Sequence, residues 1–306
     1  MIISAPNSVP WECISVITVT YNSADIVETS LQSIAEAKHI IVVDNASTDD
    51  SVSVVVKVTP HAQVIRVASN LGYGRAVNLA LKQVTTKFVL LITPDVIVDK
   101  ECVNQLLSAA NVWTNAGMVA PGLVEVSGRS TRCHDAALFH RSGMSRRRND
   151  EPFPDGPLCA GYVQNAAVLE RMTAFTEVGF YDPNIFLFFE DDDLCLRFVQ
   201  RGWSLILLPD VSALHIEGSS SSDVDENISR VRYHHMAWSR IYLERKHRGR
   251  AAGLFLGVRN IFLFIGKALG ALLVFDKYRF IRDIARLRGS ILGTLGCSAF
   301  TRVVKP

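Results

Sequence analysis

The segment IIVVDNASTDD, residues 40–50, joins an apolar run to a polar cluster and decides how the first half of the chain is organised. Ile40–Val43 is β-branched and apolar, which predicts a buried strand. Asp44 and Asn45 follow at the carboxyl end of that strand. Ligands of parallel α/β sheets bind outside the carboxyl ends of the strands. The segment therefore predicts a strand of such a sheet and a candidate ligand site.

Strands and helices alternate on both sides of this segment. Apolar runs predict further strands at Ile14–Thr20, Ala62–Val67 and Phe88–Ile92, and helical spacing predicts helices at Ala24–Ala37, Ser51–Lys57 and Gly74–Gln83. The strands are apolar throughout rather than alternating, which is typical of a parallel sheet covered by helices on both faces. The predicted fold class is therefore α/β, with a Rossmann-like and mostly parallel sheet.

The later part of the chain is less regular. We expect loops and a hairpin over Gly122–Pro157, a strand over Cys159–Leu169, a helix over Leu194–Gln200, a strand over Leu205–Leu208 that ends at Pro209, and helices beyond Ser222. The run Arg146-Arg147-Arg148 falls within the predicted loops. We place a domain boundary between residues 222 and 223, with a catalytic domain at 1–222 and a helical extension at 223–306.

Charge separates these two parts. The net charge of the 306 residues is +2, but residues 1–230 carry 17 basic and 27 acidic residues, whereas residues 231–306 carry 15 basic and 3 acidic ones. The first part has a net charge of −10 and the second of +12. A basic tail of this kind suggests an anionic partner of its own. The hydrophobic content of 48% excludes a disordered chain.

The N-terminus and the cysteines indicate a cytoplasmic protein. Met1–Trp11 has no basic region followed by an apolar run, so no secretory signal is predicted. The six cysteines are scattered without a C-x-x-C pair, which favours reduced thiols over disulfides or zinc binding.

Two polar clusters have both a structural and a functional interpretation. Residues 47–50 fit a helix N-cap, but Asp44 lies on the strand end itself and could accept the N3–H of a pyrimidine base. The run Asn70-Leu71-Gly72-Tyr73-Gly74-Arg75-Ala76-Val77-Asn78 is a glycine-containing turn that opens a helix. Such a turn can present backbone N–H groups to phosphate, although an ordinary strand–helix turn explains it equally well.

Thr93-Pro94-Asp95 closes the predicted strand Phe88–Ile92. A carboxylate at this position could hold a divalent cation against a diphosphate, since Mg²⁺ takes one or two carboxylates plus phosphate oxygens. Pro-Asp is also a common turn former, which is the simpler interpretation. His215 becomes a candidate ligand only if it lies next to Asp95 as a neutral imidazole.

The run Glu190-Asp191-Asp192-Asp193 follows the aromatic segment Phe186–Phe189. The helix macrodipole explains acidic residues at a helix N-terminus, but four in a row are more than capping needs. Crowded carboxylates raise one another's pKa values, which suits a general base. The pattern therefore favours a catalytic role.

In order along residues 13 to 220, these segments resemble the family 2 inverting glycosyltransferases, and in particular their rhamnosyltransferase-like branch. The matching residues are Val19-Thr20-Tyr21-Asn22, Val42–Asp49, Asn70–Gly74, Pro94-Asp95, Gly179-Phe180-Tyr181-Asp182, Phe189–Arg197 and Arg201-Gly202. The resemblance implies the GT-A fold, which binds nucleotide-diphospho-sugars. The chain departs from the family at Thr93, where the Asp-x-Asp motif has its first acid, and this departure predicts a lower metal affinity.

The resemblance also implies residue roles. The nucleotide-sugar would be bound by Thr20, Tyr21, Asn22, Asp44, Asn45, Gly72, Arg75 and Asn78. A Mg²⁺ or Mn²⁺ ion would be bound by Asp95 and His215. Asp191 would be the general base, supported by Glu190, and sugar transfer would invert the anomeric configuration in one displacement.

The basic tail contains an apolar segment, Leu254–Phe275, which is interrupted by Arg259 and Lys267. As a helix of about 33 Å it could cross a bilayer. However, each of the two cations would cost roughly 2.5–3.5 kcal/mol near the bilayer centre. A polar stripe and basic flanks favour in-plane or shallow insertion at an anionic membrane. A buried helical hairpin or a homodimer interface is the alternative, and the interleaved apolar residues argue against nucleic acid.

The predicted function is transfer of a sugar from a dTDP- or UDP-sugar, with dTDP-rhamnose preferred, to a polyprenyl-linked glycan in cell-surface polysaccharide assembly. The enzyme would lie on the cytoplasmic face of the plasma membrane. A nucleotidylyltransferase is one alternative, but Tyr21–Asp25 lacks the glycine-rich phosphate loop that it would need. A non-catalytic scaffold is the other, and the presence of Asp44, Asp95 and Asp191 argues against it.

Overall fold

The structure is a computed structural model that describes residues 10–139, 151–216 and 226–300, with the side chains of residues 226–228 left out of the description. The predicted features at the N-terminus before residue 10, at Arg146-Arg147-Arg148 and at the boundary after residue 222 lie outside the described residues. The described chain forms two compact units. The first comprises residues 10–71, 76–139, 151–181 and 194–216, and the second comprises residues 72–75, 182–193 and 226–300.

The strands are β1 (Ile14–Thr20), β2 (His39–Asp44), β3 (Gln63–Arg66), β4 (Phe88–Ile92), β5 (Val96–Ile97), β6 (Ala116–Glu125), β7 (Ser130–Thr131), β8 (His134–Asp135), β9 (Leu158–Ala160), β10 (Tyr162–Val163), β11 (Ala167–Arg171) and β12 (Ser204–His215). The helices are α1 (Ala24–Ser33), α2 (Ser51–Val58), α3 (Tyr73–Leu81), α4 (Lys100–Val112), α5 (Met172–Val178), α6 (Glu190–Gln200), α7 (Glu226–Arg248), α8 (Arg250–Leu273) and α9 (Lys277–Leu295).

The first unit is built on one mixed sheet with the strand order β3-β2-β1-β4-β11-β6-β12-β5. The predicted parallel arrangement is found in β3, β2, β1 and β4, and again between β6 and β12. The prediction of a mostly parallel sheet does not extend to β11, which runs antiparallel to both of its neighbours. All residues of β1, β4 and β11 are buried, as expected for strands covered on both faces.

Three predicted elements differ in the structure. The single strand predicted at Cys159–Leu169 is divided into β9, β10 and β11, and α6 begins at Glu190 rather than at Leu194. The strand predicted to end at Pro209 continues to His215. Proline has no backbone N–H to donate to a neighbouring strand. The pairing of β12 with β6 shifts register between Leu208 and Ser212, so the strand continues past Pro209 with a local irregularity.

The second unit contains the three long helices of the predicted extension, and it also contains residues 72–75 and 182–193, which the prediction placed in the catalytic domain. Helix α9 packs against α7 and α8 through small residues. A Cβ atom on Gly289 would lie 2.1 Å from the carbonyl oxygen of His234, and one on Gly257 would collide with Thr294 Oγ1. Only glycine allows the helices to approach this closely.

Helix α8 is, among the described residues, the one helix long and apolar enough to cross a membrane by length and composition. Its buried residues are small or polar: Gly253, Gly257, Asn260, Ala268 and Ala271. Most of its large apolar residues are exposed: Leu254, Phe255, Val258, Phe262, Leu263, Ile265, Leu269, Leu272 and Leu273. The other large apolar residues, Leu256, Ile261 and Phe264, are half-buried. The helix therefore packs mainly through its small side chains and presents most of its large ones outward.

Candidate active site

The first cluster of predicted site residues lies at the carboxyl ends of β1 and β2, which pair in register so that Thr20 opposes Asp44. Thr20 Oγ1 donates a hydrogen bond to Asp44 Oδ1 at 3.4 Å, and both side chains are buried. Arg66 Nε lies 3.9 Å from Asp44 Oδ2. Parallel pairing thus brings together two residues that are 24 positions apart in the sequence.

The loops after β1 and β2 are tied together by side chains. Asn22 adopts a left-handed conformation with φ of 50°, and its Oδ1 accepts a hydrogen bond from the backbone N–H of Thr48 at 2.8 Å. Its own N–H donates to Ser47 Oγ at 3.0 Å. Tyr21, the first residue after β1, is half exposed. The turn is held rigidly, while the Tyr21 ring remains accessible to a ligand.

The N-cap interpretation of residues 47–50 is only partly right. Asp50 occupies the N-cap position of α2 but makes no capping hydrogen bond through its side chain. Asp49 instead accepts hydrogen bonds from the backbone N–H groups of Ser51, at 3.1 Å, and Ala24, at 3.0 Å. Asp49 therefore serves the first turns of both α1 and α2.

The amides of Asn45 and Asn78 are engaged by protein groups. Asn45 donates to Asn70 Oδ1 at 3.0 Å and accepts from the backbone N–H of Leu71 at 2.8 Å. Asn78 donates to the carbonyl of Tyr181 at 2.8 Å and accepts from its N–H at 3.0 Å. Both side chains therefore position loops, and their predicted contact with a nucleotide-sugar stays a prediction.

Gly72 and Arg75 belong to the second unit. Gly72 has a φ of +83°, and a Cβ atom there would collide with the carbonyl oxygen of Phe186, so no other residue fits. Arg75 Nε donates to the carbonyl of Pro183 at 2.6 Å, and its guanidinium lies 3.5 Å from the centre of the Phe300 ring. Their predicted nucleotide-sugar roles stay predictions.

Asp95 and His215 come together in the first unit because β5 pairs with β12. His215 is paired with Val96, and its Nε2 lies 3.4 Å from Asp95 Oδ2. Burial acts to raise the pKa of Asp95, but hydrogen bonds from His215 and Thr93 outweigh it and the pKa lies below its ordinary value. His215 therefore lies next to Asp95, which is the condition for the two residues to bind one metal ion together.

The residues at this position fit a divalent cation that is completed by a substrate. Asp95 Oδ1 is buried without a hydrogen-bond partner, which leaves one carboxylate oxygen to coordinate an ion. Within the described ranges, no group of three or more His, Cys, Asp or Glu side chains could hold a metal ion alone. Mg²⁺ commonly uses one or two carboxylates and takes its other ligands from phosphates and water. Thr93 Oγ1 also lies 3.3 Å from the carbonyl oxygen of Ala166.

The acidic run forms the first turn of α6, in the second unit. Phe188 and Phe189 precede it, and each has a φ of 65°, a left-handed conformation that is unfavourable for a bulky residue. Backbone strain of this kind persists where the surrounding structure imposes it, and it concentrates at functional sites. The strained pair turns the chain abruptly into the helix that carries Glu190 and Asp191.

The four acids have different environments. Asp193 is fully buried and accepts hydrogen bonds from Lys246 Nζ at 2.6 Å and His247 Nε2 at 2.8 Å. Lys246 also contacts Asp182 at 2.7 Å, and Tyr242 donates to the same carboxylate at 2.8 Å. Asp193 and Asp182 therefore join the segment 182–193 to the end of α7.

Burial, followed by the charge of Asp191, raises the pKa values of Glu190 and Asp192 well above the ordinary carboxyl range. One carboxylate oxygen of Glu190, Oε2, is buried without a hydrogen-bond partner. The backbone N–H of Asp192 donates to Asp191 Oδ1 at 3.0 Å. The expected rise in pKa is thus present in the acidic run, and burial contributes more to it than crowding does.

Sequence reasoning did not find the roles of Asp182, Asp193, Lys246 and His247. It assigned the basic run from Arg245 to Arg250 to a flank facing the membrane, but Lys246 and His247 instead bind acids of the same unit. Arg248 binds Glu244. The one available signal was the position of Asp193, the last acid before the apolar face of α6, where a buried carboxylate requires a partner.

The chain is similar to a known protein family and to curated proteins. The model of the family described as "Glycosyl transferase family 2" matches residues 15–167. The chain is 26% identical over 267 residues to the N-acetylglucosaminyl-diphospho-decaprenol L-rhamnosyltransferase of Mycobacterium tuberculosis, an alignment that covers 78% of this chain and 86% of the relative.

Two solved structures share the fold. The mannosyltransferase PcManGT from Pyrobaculum calidifontis, in complex with GDP-Man and Mn²⁺, has a TM-score of 0.53 and 14% identity, over 92% of this chain and 86% of that one. GalNAc-T7 with UDP, GalNAc and Mn²⁺ has a TM-score of 0.54 and 13% identity, over 77% of this chain. This chain spans about half of the GalNAc-T7 chain, 51%. The mixed sheet with flanking helices is the GT-A fold.

Proposed function

This chain is a glycosyltransferase of family 2, and we propose that it transfers a sugar from a nucleotide-diphospho-sugar to a lipid-linked glycan with inversion. The M. tuberculosis relative is named for L-rhamnose transfer onto N-acetylglucosaminyl-diphospho-decaprenol, which supports rhamnose as the sugar and a polyprenyl diphosphate lipid as the acceptor carrier. We take dTDP-rhamnose as the donor. Asp44, at the carboxyl end of β2, would accept the N3–H of the thymine base.

The observation that carries the proposal is the arrangement of the acidic run. Asp193 is paired with Lys246 and His247, and burial raises the pKa values of Glu190 and Asp192, which favours their protonated forms. These three side chains are therefore less suited to accept a proton. Asp191 lies among them in the strained first turn of α6. We assign Asp191 as the general base and Glu190 as its support.

In the proposed reaction Asp191 takes the proton of an acceptor hydroxyl. The acceptor oxygen attacks the anomeric carbon of the donor as the bond to the nucleoside diphosphate breaks on the opposite side, which inverts the configuration. Asp95 and His215 would hold the divalent cation, and a bound cation neutralises the charge that develops on the leaving diphosphate. The Thr20 hydroxyl keeps the Asp44 carboxylate oriented at the strand end.

The test is sugar transfer from dTDP-rhamnose to a polyprenyl-diphospho-N-acetylglucosamine acceptor. Replacing a general base lowers the rate by about 10²- to 10⁴-fold, so Asp191→Asn should show a loss in kcat of that size. Asp210→Asn removes an exposed acid and serves as the control. Near-normal turnover of Asp191→Asn would refute the base assignment. Undiminished activity in excess chelator would refute the assignment of a divalent cation to Asp95.

The same assay distinguishes the alternatives. A nucleotidylyltransferase would transfer the nucleotidyl group of a nucleoside triphosphate and release diphosphate, and a non-catalytic scaffold would leave every donor intact. If UDP-sugars are consumed and dTDP-rhamnose is not, the glycosyltransferase assignment holds but the choice of donor is wrong.

We also propose that α8 lies in the plane of the cytoplasmic membrane face. At about 100° per residue, eight of its nine exposed large apolar residues cover a charge-free arc about 100° wide, whereas Leu263 lies outside that arc, between Arg259 and Lys267. A helix in this orientation buries its apolar arc in the acyl region and keeps both cations at the headgroups. A spanning helix would carry them into the bilayer. The basic residues of α9 would add attraction to anionic lipids.

A further inference from the structure

We propose that a basic pocket in the second unit binds the diphosphate of the lipid-linked acceptor, an inference that rests on the proposed function. The pocket has a volume of about 670 Å³ and lies where α7 ends, α8 begins and α9 ends. Three cations line it, Arg245, Lys246 and Arg250, and apolar residues Leu254 and Leu295 form its other side. We call these residues the diphosphate pocket.

Arg245 and Arg250, the two arginines of the pocket, differ from five other arginines of the unit. Salt bridges to carboxylates are formed by Arg240 and Arg248 with Glu244, by Arg279 with Asp276, and by Arg282 and Arg286 with Asp283. Within the described residues, Arg245 and Arg250 form no salt bridge. Guanidinium groups bind phosphate oxygens in bidentate pairs, so two unpaired arginines at one cavity match the charge of a diphosphate.

Gly296 keeps Arg245 at the pocket. It ends α9 in a left-handed conformation, with a φ of +75°, and a Cβ atom there would lie 2.5 Å from Arg245 Nη1. A side chain at position 296 would therefore occupy the space of the guanidinium. The left-handed conformation of Gly296 ends α9, and its lack of a side chain leaves room for the guanidinium of Arg245.

The apolar side of the pocket continues into a long apolar surface. Leu295 is 72% exposed and Leu254 is 55% exposed, and Leu254 begins the outward arc of α8. A ligand that fits both parts has a doubly phosphorylated head and a long hydrocarbon chain. A free nucleotide would satisfy the arginines but leave the apolar surface in water. A polyprenyl diphosphate satisfies both.

Lys246 connects the pocket with the catalytic segment. It lines the cavity while its Nζ contacts Asp193 and Asp182, which lie on either side of the proposed base within residues 182–193. The acceptor sugar is attached directly to the diphosphate. A diphosphate bound by Arg245 and Arg250 would therefore leave its sugar beside the segment that carries Asp191.

The direct test is vesicle binding by the full chain. Phosphatidylcholine vesicles carry either undecaprenyl diphosphate or enough phosphatidylglycerol to give the same surface charge. The pocket variant is Arg245→Gln with Arg250→Gln, and the control is Lys277→Gln with Arg279→Gln, which removes the same charge from the other end of α9. Matching thermal unfolding curves would show that both variants fold.

The wild type should prefer the diphosphate vesicles, and the pocket variant should lose about 10- to 100-fold in affinity for them, as expected when charged hydrogen bonds are removed. The control should bind both vesicles more weakly and keep the preference. An unchanged preference in the pocket variant would overturn the inference. So would a wild type that binds both vesicles equally, since the arginines would then serve phospholipid headgroups.

Kinetics separate this inference from the proposed function. In sugar transfer the pocket variant should raise the KM for the lipid acceptor, with the KM for the donor unchanged. If the wild type transfers sugar but the acceptor KM of the pocket variant does not change, the pocket assignment fails and the proposed function stands. If the wild type transfers no sugar while the vesicle preference is present, the proposed function fails alone.

Discussion

Strand β4 and helix α8 are both rich in apolar residues, but they place them in opposite environments. Every residue of β4, Phe88–Ile92, is buried in the first unit. In α8 the large apolar side chains are exposed, with Phe255 at 74% and Phe262 at 72%, while glycine and alanine are buried. The apolar content of an element therefore does not tell whether its large side chains are buried or exposed. The two elements differ in the size of the residues that they bury, which are large in β4 and small in α8.

The difference has a physical reason. In water, large side chains turn inward because burying each one is worth about 1.5–3 kcal/mol. In lipid this force is absent between helices, so they pack through small residues and leave large ones facing the acyl chains. The buried strands of the first unit follow the first rule, and the exposed large side chains of α8 match the second, as its proposed position at the membrane requires. The following predictions test that contrast.

The largest effect is expected from removing a phenylalanine in each region. Phe175 is fully buried in the first unit against Phe180, Tyr181 and Phe198. Phe175→Ala should lower the free energy of unfolding by about 3–5 kcal/mol, measured by denaturant titration in mild detergent. Phe262→Ala should change it by less than about 0.5 kcal/mol. A large loss at Phe262 would show that α8 is buried by protein.

The next effect concerns membrane binding. Phe255→Ser with Phe262→Ser should weaken binding to anionic vesicles by at least about tenfold, since each ring contributes about 1.5–3 kcal/mol when buried in lipid. Val56→Ser with Val112→Ser, a matched change at exposed residues of the first unit, should have no effect. Unchanged vesicle binding, together with a shift from dimer to monomer in light scattering, would instead make α8 a homodimer interface.

A smaller effect is expected from two glycines. A Cβ atom on Gly289 would lie 2.1 Å from the backbone carbonyl oxygen of His234, so Gly289→Ala should cost about 1–3 kcal/mol through overpacking. No atom lies within 4 Å of a Cβ atom on Gly270 of α8. Gly270→Ala should therefore stabilise the helix by about 0.5–1 kcal/mol. Thermal unfolding of the two variants measures both signs, and equal losses would contradict the assignment of inner and outer faces.

The last effect appears only when the pH is changed. Because burial raises the pKa of Glu190, the native state keeps a proton that the unfolded chain releases, and stability falls as pH rises toward the raised pKa. Glu190→Gln resembles the protonated form. It should match the wild type near about pH 4 and be more stable than the wild type near about pH 8, by about 1.4 kcal/mol for each unit by which the pKa of Glu190 is raised.

Denaturant titrations at the two pH values measure this difference, with Asp210→Asn as the exposed control. A constant difference between Glu190→Gln and the wild type would show that Glu190 titrates normally.

Much of the fold was predictable because strands and helices have local signatures. The apolar runs at β1, β2 and β4 are found as predicted, and so is the polar cluster at the end of β2. The continuation of β12 through Pro209 was not predictable. Local chemistry ends a strand at proline, and only the shifted pairing with β6 allows it to continue.

The candidate site was predictable to a lesser degree. Asp95 and His215 are 120 positions apart, and their contact depends on the pairing of β5 with β12. The acidic run was visible, but the sequence shows four similar acids. Their different environments come from α7, whose Lys246 and His247 hold Asp193, 53 and 54 positions away.

By itself, the sequence determined the alternation of strands and helices, the polar strand ends and the separation of charge, because these depend on neighbouring residues and on composition. The tertiary structure alone decided which acid is paired, which arginines remain available at the diphosphate pocket and which face of α8 is turned outward. These properties depend on contacts between residues far apart in the chain, and burial and pairing arise only when the helices and strands pack.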